Sequence, residues 1–242
     1  MIADLKVLAV IPARGGSKGL PRKNVLPLAG KPLIAWTLAA TQASRYIDRT
    51  ILSSDDDEII ATALEHGGDV PFKRPDQLAG DVVTTLEVAI HAIDQLPGYD
   101  LLLILQPTSP LRTTADIDGV LEQLVKTDAA SCVSVTEPDK SPYWAYSIDE
   151  KERIAPLIDA ELARRRRQDL PAAYVLNGAV YAAHIPWLKQ QQGFVGDDTV
   201  AYVMPKEHSL DVDTLLDLQI CETVLASTTS DTESKNQARA RQ

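Results

Sequence analysis

The residues with the plainest chemical purpose stand near the two ends of the chain. Ile11-Pro12-Ala13-Arg14-Gly15-Gly16-Ser17-Lys18-Gly19-Leu20-Pro21-Arg22-Lys23-Asn24 gathers three glycines and the cations Arg14, Lys18, Arg22 and Lys23 into one short stretch. Glycines let the backbone turn tightly and present N–H groups, and clustered cations beside them suit a polyphosphate. The chain carries a formal net charge of -10, so this cluster runs against the general field. Far downstream, Asp211-Val212-Asp213 sets two carboxylates two residues apart. In extended chain they share a face. A magnesium ion takes one or two protein carboxylates and fills its shell with phosphate oxygens and water. The competing role for Asp213 is to cap a helix that starts at Thr214.

Two common phosphate motifs are excluded. The loop has no G-x-x-x-x-G-K-[ST] spacing and no G-x-G-x-x-G. The acidic run Ser54-Asp55-Asp56-Asp57-Glu58 reads as a helix start rather than a metal site. No histidine pairs with a serine or cysteine in a recognisable catalytic arrangement, and the sequence identifies no general base.

The elements that must position these groups follow from apolar pattern. Residues 7–11 form a buried strand leading into the basic loop. Helical periodicity at 33–43 follows Lys31-Pro32, a fitting helix opening. A strand at 50–53, a helix to His66, an extended stretch at 70–75, a helix at 84–96 and a strand at 101–105 come next. Gln106-Pro107-Thr108-Ser109-Pro110 follows that strand, then a helix at 114–126 and a strand at 130–135. The alternation predicts an α/β fold of three layers, a mostly parallel sheet flanked by helices, with ligands at the carboxyl ends of the strands. Residues 137–171 break the pattern with four prolines and the run Arg164-Arg165-Arg166-Arg167, and read as an insertion of short strands or arms. Strands at 177–183 and 200–204, a helix at 185–191 and a last helix at 214–225 complete one domain over 1–226. Composition marks 227–242 as a disordered tail.

At 242 residues with 45% hydrophobic and 5% aromatic content, the chain can bury one large aliphatic core. The acidic balance argues against nucleic acid or anionic membrane as partner. Cys132 and Cys221 lie in apolar segments and read as reduced core thiols. The opening residues lack signal-peptide architecture, and no apolar run approaches membrane-spanning length. The expectation is a cytoplasmic protein.

Residues 12–24, with Leu28-Ala29-Gly30-Lys31-Pro32-Leu33, resemble the opening of the acylneuraminate cytidylyltransferases, the CMP-sialic acid synthetases and their bacterial relatives. Ser209-Leu210-Asp211-Val212-Asp213-Thr214 resembles that family's acidic motif. The resemblance covers all but about the last fifteen residues and implies the nucleotide-diphospho-sugar transferase fold, with the insertion at 137–171 as a dimerisation arm of a homodimer. It implies transfer of CMP from CTP to an N-acylneuraminate-like nonulosonic acid such as N-acetylneuraminic acid, with Mg²⁺ as cofactor. By resemblance, Arg14, Gly15, Ser17, Lys18, Lys23 and Asn24 hold the triphosphate, with Lys18 and Lys23 offsetting charge on the leaving pyrophosphate. Arg74 and Thr84 serve the base pocket, although Thr84 is equally a helix cap. Asp211 and Asp213 hold the metal. Gln106, Asn177 and Tyr181 face the sugar, although Tyr181 is equally a core residue. Arg167, Gln168 and Lys140 reach the acceptor from a partner's arm, although on charge alone the arginine run is a solvated face. One departure is Val175, where many relatives carry a basic residue two positions before the Asn of Asn-Gly-Ala. That leaves the identity of the nonulosonic acid open. The alternative within enzymes is a relative that activates a legionaminic or pseudaminic acid, or one that uses GTP. A nucleotide-binding regulatory protein without catalysis is the reading of another class.

Overall fold

The computed structural model describes residues 1–17 and 19–239, apart from the side chains of 228–239. Lys18 therefore lies outside the described residues. The centre is β1 (Val7–Pro12), whose first five residues are buried because both faces of the strand are covered. A short hairpin, β2 (Pro27–Leu28) and β3 (Lys31–Pro32), leads into α1 (Leu33–Gln42). Then come β4 (Arg49–Ser53), α2 (Asp57–Glu65), α3 (Thr85–Gln95), β5 (Leu101–Leu105), α4 (Thr114–Thr127) and β6 (Ser131–Thr136). The insertion holds an exposed hairpin, β7 (Tyr146–Ile148) and β8 (Ile154–Pro156). The chain closes with β9 (Val175–His184), α5 (Ile185–Gln191), β10 (Thr199–Val203) and α6 (Leu215–Arg239).

The main sheet runs β10-β6-β9-β5-β1-β4. Its pairs are parallel except around β9, which lies antiparallel between β5 and β6. The expected succession of parallel neighbours is thus interrupted by one strand of reversed sense. That reversal brings the start of β9 to the same edge as the carboxyl ends of β1, β4, β5 and β6. Successive residues of β1 alternate between two cores. Val7, Ala9 and Ile11 pack with Ile34, Leu38, Ile117 and Leu121 from α1 and α4. Leu8 and Val10 pack with Ala89, Ala92 and Ile93 of α3 and Leu188 of α5.

A third, smaller cluster matters most for the site. Val212 is fully buried among Leu28, Leu33, Leu111, Leu218 and Cys221. Burying one valine contributes about 1.5–3 kcal/mol, enough to pin the segment that carries the aspartate couple. Both cysteines are free and buried, which pushes the thiol pKa of Cys132 up to about 12 and that of Cys221 up to about 11. They are structural, as expected. The last helix runs to Arg239 instead of ending near 225, and takes in most of the segment that composition marks as disordered. Among the described residues no helix is long and apolar enough to cross a membrane.

Candidate active site

The basic loop and the aspartate couple meet. Lys23 begins a single 3-10 turn, Lys23–Val25, behind Arg22 in a left-handed conformation (φ 59°). Its Nζ donates to the Val212 carbonyl at 3.0 Å and to Asp213 Oδ1 at 2.8 Å. Gly19 lies so close that a Cβ there would stand 2.5 Å from the Asp213 carbonyl oxygen. The glycine is required by approach of another backbone, not by a turn. Asp213 does not cap α6. Thr214 does so, in a box with Asp217: the Asp217 N–H donates to Thr214 Oγ1, and Asp217 Oδ2 accepts from the Asp213 and Thr214 amides. Asp213 is thereby left exposed beside Lys23, and Asp211 is exposed on the other side of buried Val212.

Lys23, Gly19 and Asp213 open on a cavity of about 340 Å³ at the carboxyl edge of β1 and β5, whereas Asp211 does not line it. Arg14, Ser17, Lys23, Asn24, Arg74, Thr84, Gln106 and Asp213 all line it. Gly15 sits just behind. Its N–H donates to Asp55 Oδ1 at 3.3 Å, and a Cβ would meet Asp56 Oδ2 at 2.6 Å. The Ser17 N–H donates to the Gly15 carbonyl. Asn24 is buried, and its amide nitrogen donates to the Arg14 carbonyl at 3.2 Å while its Oδ1 has no partner among the described residues. Arg14 pairs with Asp81 at 3.0 Å and donates to the Gly80 carbonyl. Arg74 is 4% exposed and donates to Asp55 at 3.3 Å, and burial lowers its pKa. Thr84 caps α3 in a capping box with Glu87, so the cap role is met while the residue still faces the cavity.

Arg22 turns away from the cavity. It donates to Asp56 at 2.5 and 3.0 Å and also pairs with Glu58. Its charge raises no electropositive patch for a ligand, but locks the loop against the start of α2. Hydrogen bonding from Arg22 holds the Asp56 carboxyl down at about 2. Asp56 also caps α2, accepting from the Ile59 N–H at 3.0 Å. The acidic run thus starts a helix, as its composition suggests, and in addition anchors the loop through Asp55 and Asp56. An acidic cluster placed at the end of the strand beside the basic loop was the available signal for that second task.

Asp211 is exposed, yet neighbouring atoms partly desolvate it. That desolvation raises its carboxyl pKa, a Thr108 hydrogen bond opposes the rise, and the charge of Asp213 adds to it. The Val212 N–H donates to the Thr108 carbonyl at 2.8 Å, tying the couple to the turn after β5. Two carboxylates on one exposed edge fit a magnesium ion that arrives with nucleotide oxygens. Among the described residues no group of three or more His, Cys, Asp or Glu side chains has metal-site geometry.

Of the residues expected to face a sugar, Gln106 lines the cavity and its amide donates to Thr85 Oγ1 at 3.4 Å. Asn177 is engaged within the fold. Its Oδ1 accepts from Ser134 Oγ at 2.6 Å and from the Ala179 N–H, and its nitrogen donates to Ser209 Oγ at 3.0 Å. It secures a bulge where the pairing of β6 and β9 shifts register and Gly178 takes φ 72°. Tyr181 stacks on Phe194 at 5.5 Å within the core, and burial raises its pKa, with the charge of Asp211 adding to the rise. Arg167 and Gln168 are exposed in a 3-10 turn of the insertion, and Lys140 is exposed before it. None of the three lines the cavity, and Arg167 instead borders a separate hollow of about 170 Å³ with Pro138, Ser141 and Leu170.

A family model described as cytidylyltransferase matches residues 8–186. The chain belongs to the cytidylyltransferase family. Within it, the chain is 33% identical over 220 residues to an N-acylneuraminate cytidylyltransferase of Escherichia coli O18:K1:H7, covering 90% of this chain and 52% of that one. It is 33% identical to a pseudaminic acid cytidylyltransferase of Campylobacter jejuni, covering 90% and 95%. It is 34% identical to a CMP-N,N'-diacetyllegionaminic acid synthase of Legionella pneumophila, covering 91% and 97%. The chain therefore spans about half the length of the first relative and nearly all of the other two. A solved CMP:2-keto-3-deoxy-manno-octonic acid synthetase complexed with CTP is similar with a TM-score of 0.68 at 17% identity, covering 92% of this chain and 99% of that one. A 4-diphosphocytidyl-2C-methyl-D-erythritol synthase from Anaerococcus prevotii follows at 0.65 and 14%. At those identities the likeness is one of fold alone, a sheet layered between helices.

Proposed function

We propose that this cytidylyltransferase transfers CMP from CTP to a nonulosonic acid. The observation that carries the reading is the junction of Lys23 and Gly19 with Asp213 at one cavity, which lets cationic and carboxylate groups act on one triphosphate. Arg14, Lys18, Lys23 and Asn24 hold phosphates, and Arg74 and Thr84 face the base. The anomeric oxygen of the sugar acid bonds to the α-phosphorus as the bond to the bridging β-phosphate oxygen breaks. Pyrophosphate leaves and the hydroxyl proton passes to solvent. Positioning and cationic charge supply most of the acceleration in such a transfer. Asp211 and Asp213 would hold magnesium, which when bound neutralises phosphate charge.

The acceptor lies beyond Gln106, towards Tyr181. Asn177 serves it by shaping the start of β9. Arg167, Gln168 and Lys140 belong to an arm that reaches the site of a second copy in a cytoplasmic homodimer. The exposed Ile148, Ile154, Leu157 and Ile158 of that arm support the dimer. Sialic, pseudaminic and legionaminic relatives are about equally similar, and Val175 withholds one carboxylate contact, so the acceptor is any of these nine-carbon acids. Magnesium-dependent pyrophosphate release, measured with CTP or GTP against a panel of nonulosonic acids, tests the reading. Release with CTP and one such acid is expected. Silence with every pair favours a nucleotide-binding protein without catalysis.

A further inference from the structure

Arg112 takes no part in the contacts described so far. It stands between the turn after β5 and the cap of α4, and it is 3% exposed. A buried guanidinium ordinarily faces a carboxylate, because desolvating an unpaired charge is costly. Among the described residues none forms an ion pair with it, and Asp116 acts on it only through charge at longer range. Burial lowers its pKa to about 9, so it keeps its proton at neutral pH.

What it holds is backbone. Nη1 donates to the Gln106 carbonyl at 3.0 Å and to the Ala179 carbonyl at 2.9 Å, and Nη2 donates to Thr37 Oγ1 at 2.7 Å. The Gln106 carbonyl also accepts from the Ser109 N–H, and the Ser109 carbonyl accepts from the Arg112 N–H. One planar group therefore joins the turn carrying Gln106 to the glycine bulge that opens β9, with α1 behind it. An apolar side chain of similar volume would fill the space at less electrostatic cost. One nitrogen serves both carbonyls and the other is anchored on Thr37, so the rigid planar fork fixes where the two carbonyls converge.

We infer that Arg112 is a positioning residue that sets the gap between Gln106 and the bulge at 177–179, and through it the affinity for the acceptor. This rests on the proposed reading of the cavity, in which those segments face the sugar acid. Two variants test it. Arg112→Lys keeps the charge and loses the fork, whereas Arg112→Met keeps volume and loses the charge. Amide hydrogen exchange of the ligand-free protein should rise over 106–110 and 176–180 and stay unchanged over 13–24. The KM for the sugar acid should rise about tenfold or more, while that for CTP stays within about threefold. Arg112→Lys should be the milder change, and it decides the matter if Arg112→Met does not fold. Unchanged exchange in the two segments, or an equal rise in both KM values, overturns the inference. A parent protein inactive with every sugar acid overturns the reading of function instead, and exchange alone then judges Arg112.

Discussion

Gly19→Ala is the sharpest perturbation the structure offers. Its Cβ would stand 2.5 Å from the Asp213 carbonyl oxygen, where ordinary contact begins near 3.4 Å. The two backbones must part by about 0.9 Å, since neither can rotate out of the way as a side chain would. Misplacement on that scale costs a reaction governed by positioning about a hundredfold, or about 2.7 kcal/mol of barrier. Overpacking should cost about 1–3 kcal/mol of folding stability, leaving the protein folded for assay. Gly16→Ala is the internal control, because nothing lies within 4 Å of the Cβ it adds. Gly15→Ala should resemble Gly19→Ala, since its Cβ would meet Asp56, which Arg22 holds in place. The assay is kcat/KM for CTP by pyrophosphate release, with circular dichroism to confirm folding. If Gly19→Ala and Gly16→Ala were equally active, the loop would not need its approach to Asp213 and the reasoning would fail.

Lys23→Met should lower kcat/KM for CTP by about a hundredfold and change stability by under about 1 kcal/mol, because its partner Asp213 is 70% exposed; kinetics and urea unfolding on the same preparation check both. Arg22→Gln tests the clamp through pH. The Asp56 carboxyl, at about 2 in the fold against 3.8 ordinarily, contributes stability that is present above 3.8 and lost as pH falls towards 2. Unfolding followed from pH 6 to pH 2 should show that loss in the parent and a lower, flatter acid limb in Arg22→Gln; parallel acid limbs would contradict it. Mixed dimers of Arg167→Ala and Asp211→Ala chains should recover part of the activity that neither variant shows alone, and no recovery would count against a shared site.

Much of the fold was legible because its signals are local. The apolar run at 101–105 gives β5, Lys31-Pro32 opens α1, and Thr84 caps α3. The place of β9 was not legible. Alternation within a strand says which face is buried, not which strands flank it. The site followed the same division. Lys23 stood out within the basic loop and Asp213 by its spacing from Asp211, Asn24 came from the family resemblance, and all three line one cavity. Asn177 reads as a polar ligand in sequence, yet its hydrogen-bonding capacity is spent on Ser134, Ala179 and Ser209, which only the pairing of β6 with β9 brings near. Arg112 carries no signal in the sequence that sets it apart. Its burial depends on α1, β9 and the turn at 106–110 converging from distant parts of the chain.

The central claim, that loop and aspartate couple grip one nucleotide together, is tested most directly by titrating CTP calorimetrically with and without magnesium into the parent, Lys23→Met and Asp211→Asn. The account predicts that magnesium tightens CTP binding in the parent, that Asp211→Asn removes most of that gain, and that Lys23→Met weakens binding under both conditions. Magnesium tightening CTP equally in the parent and in Asp211→Asn would contradict it.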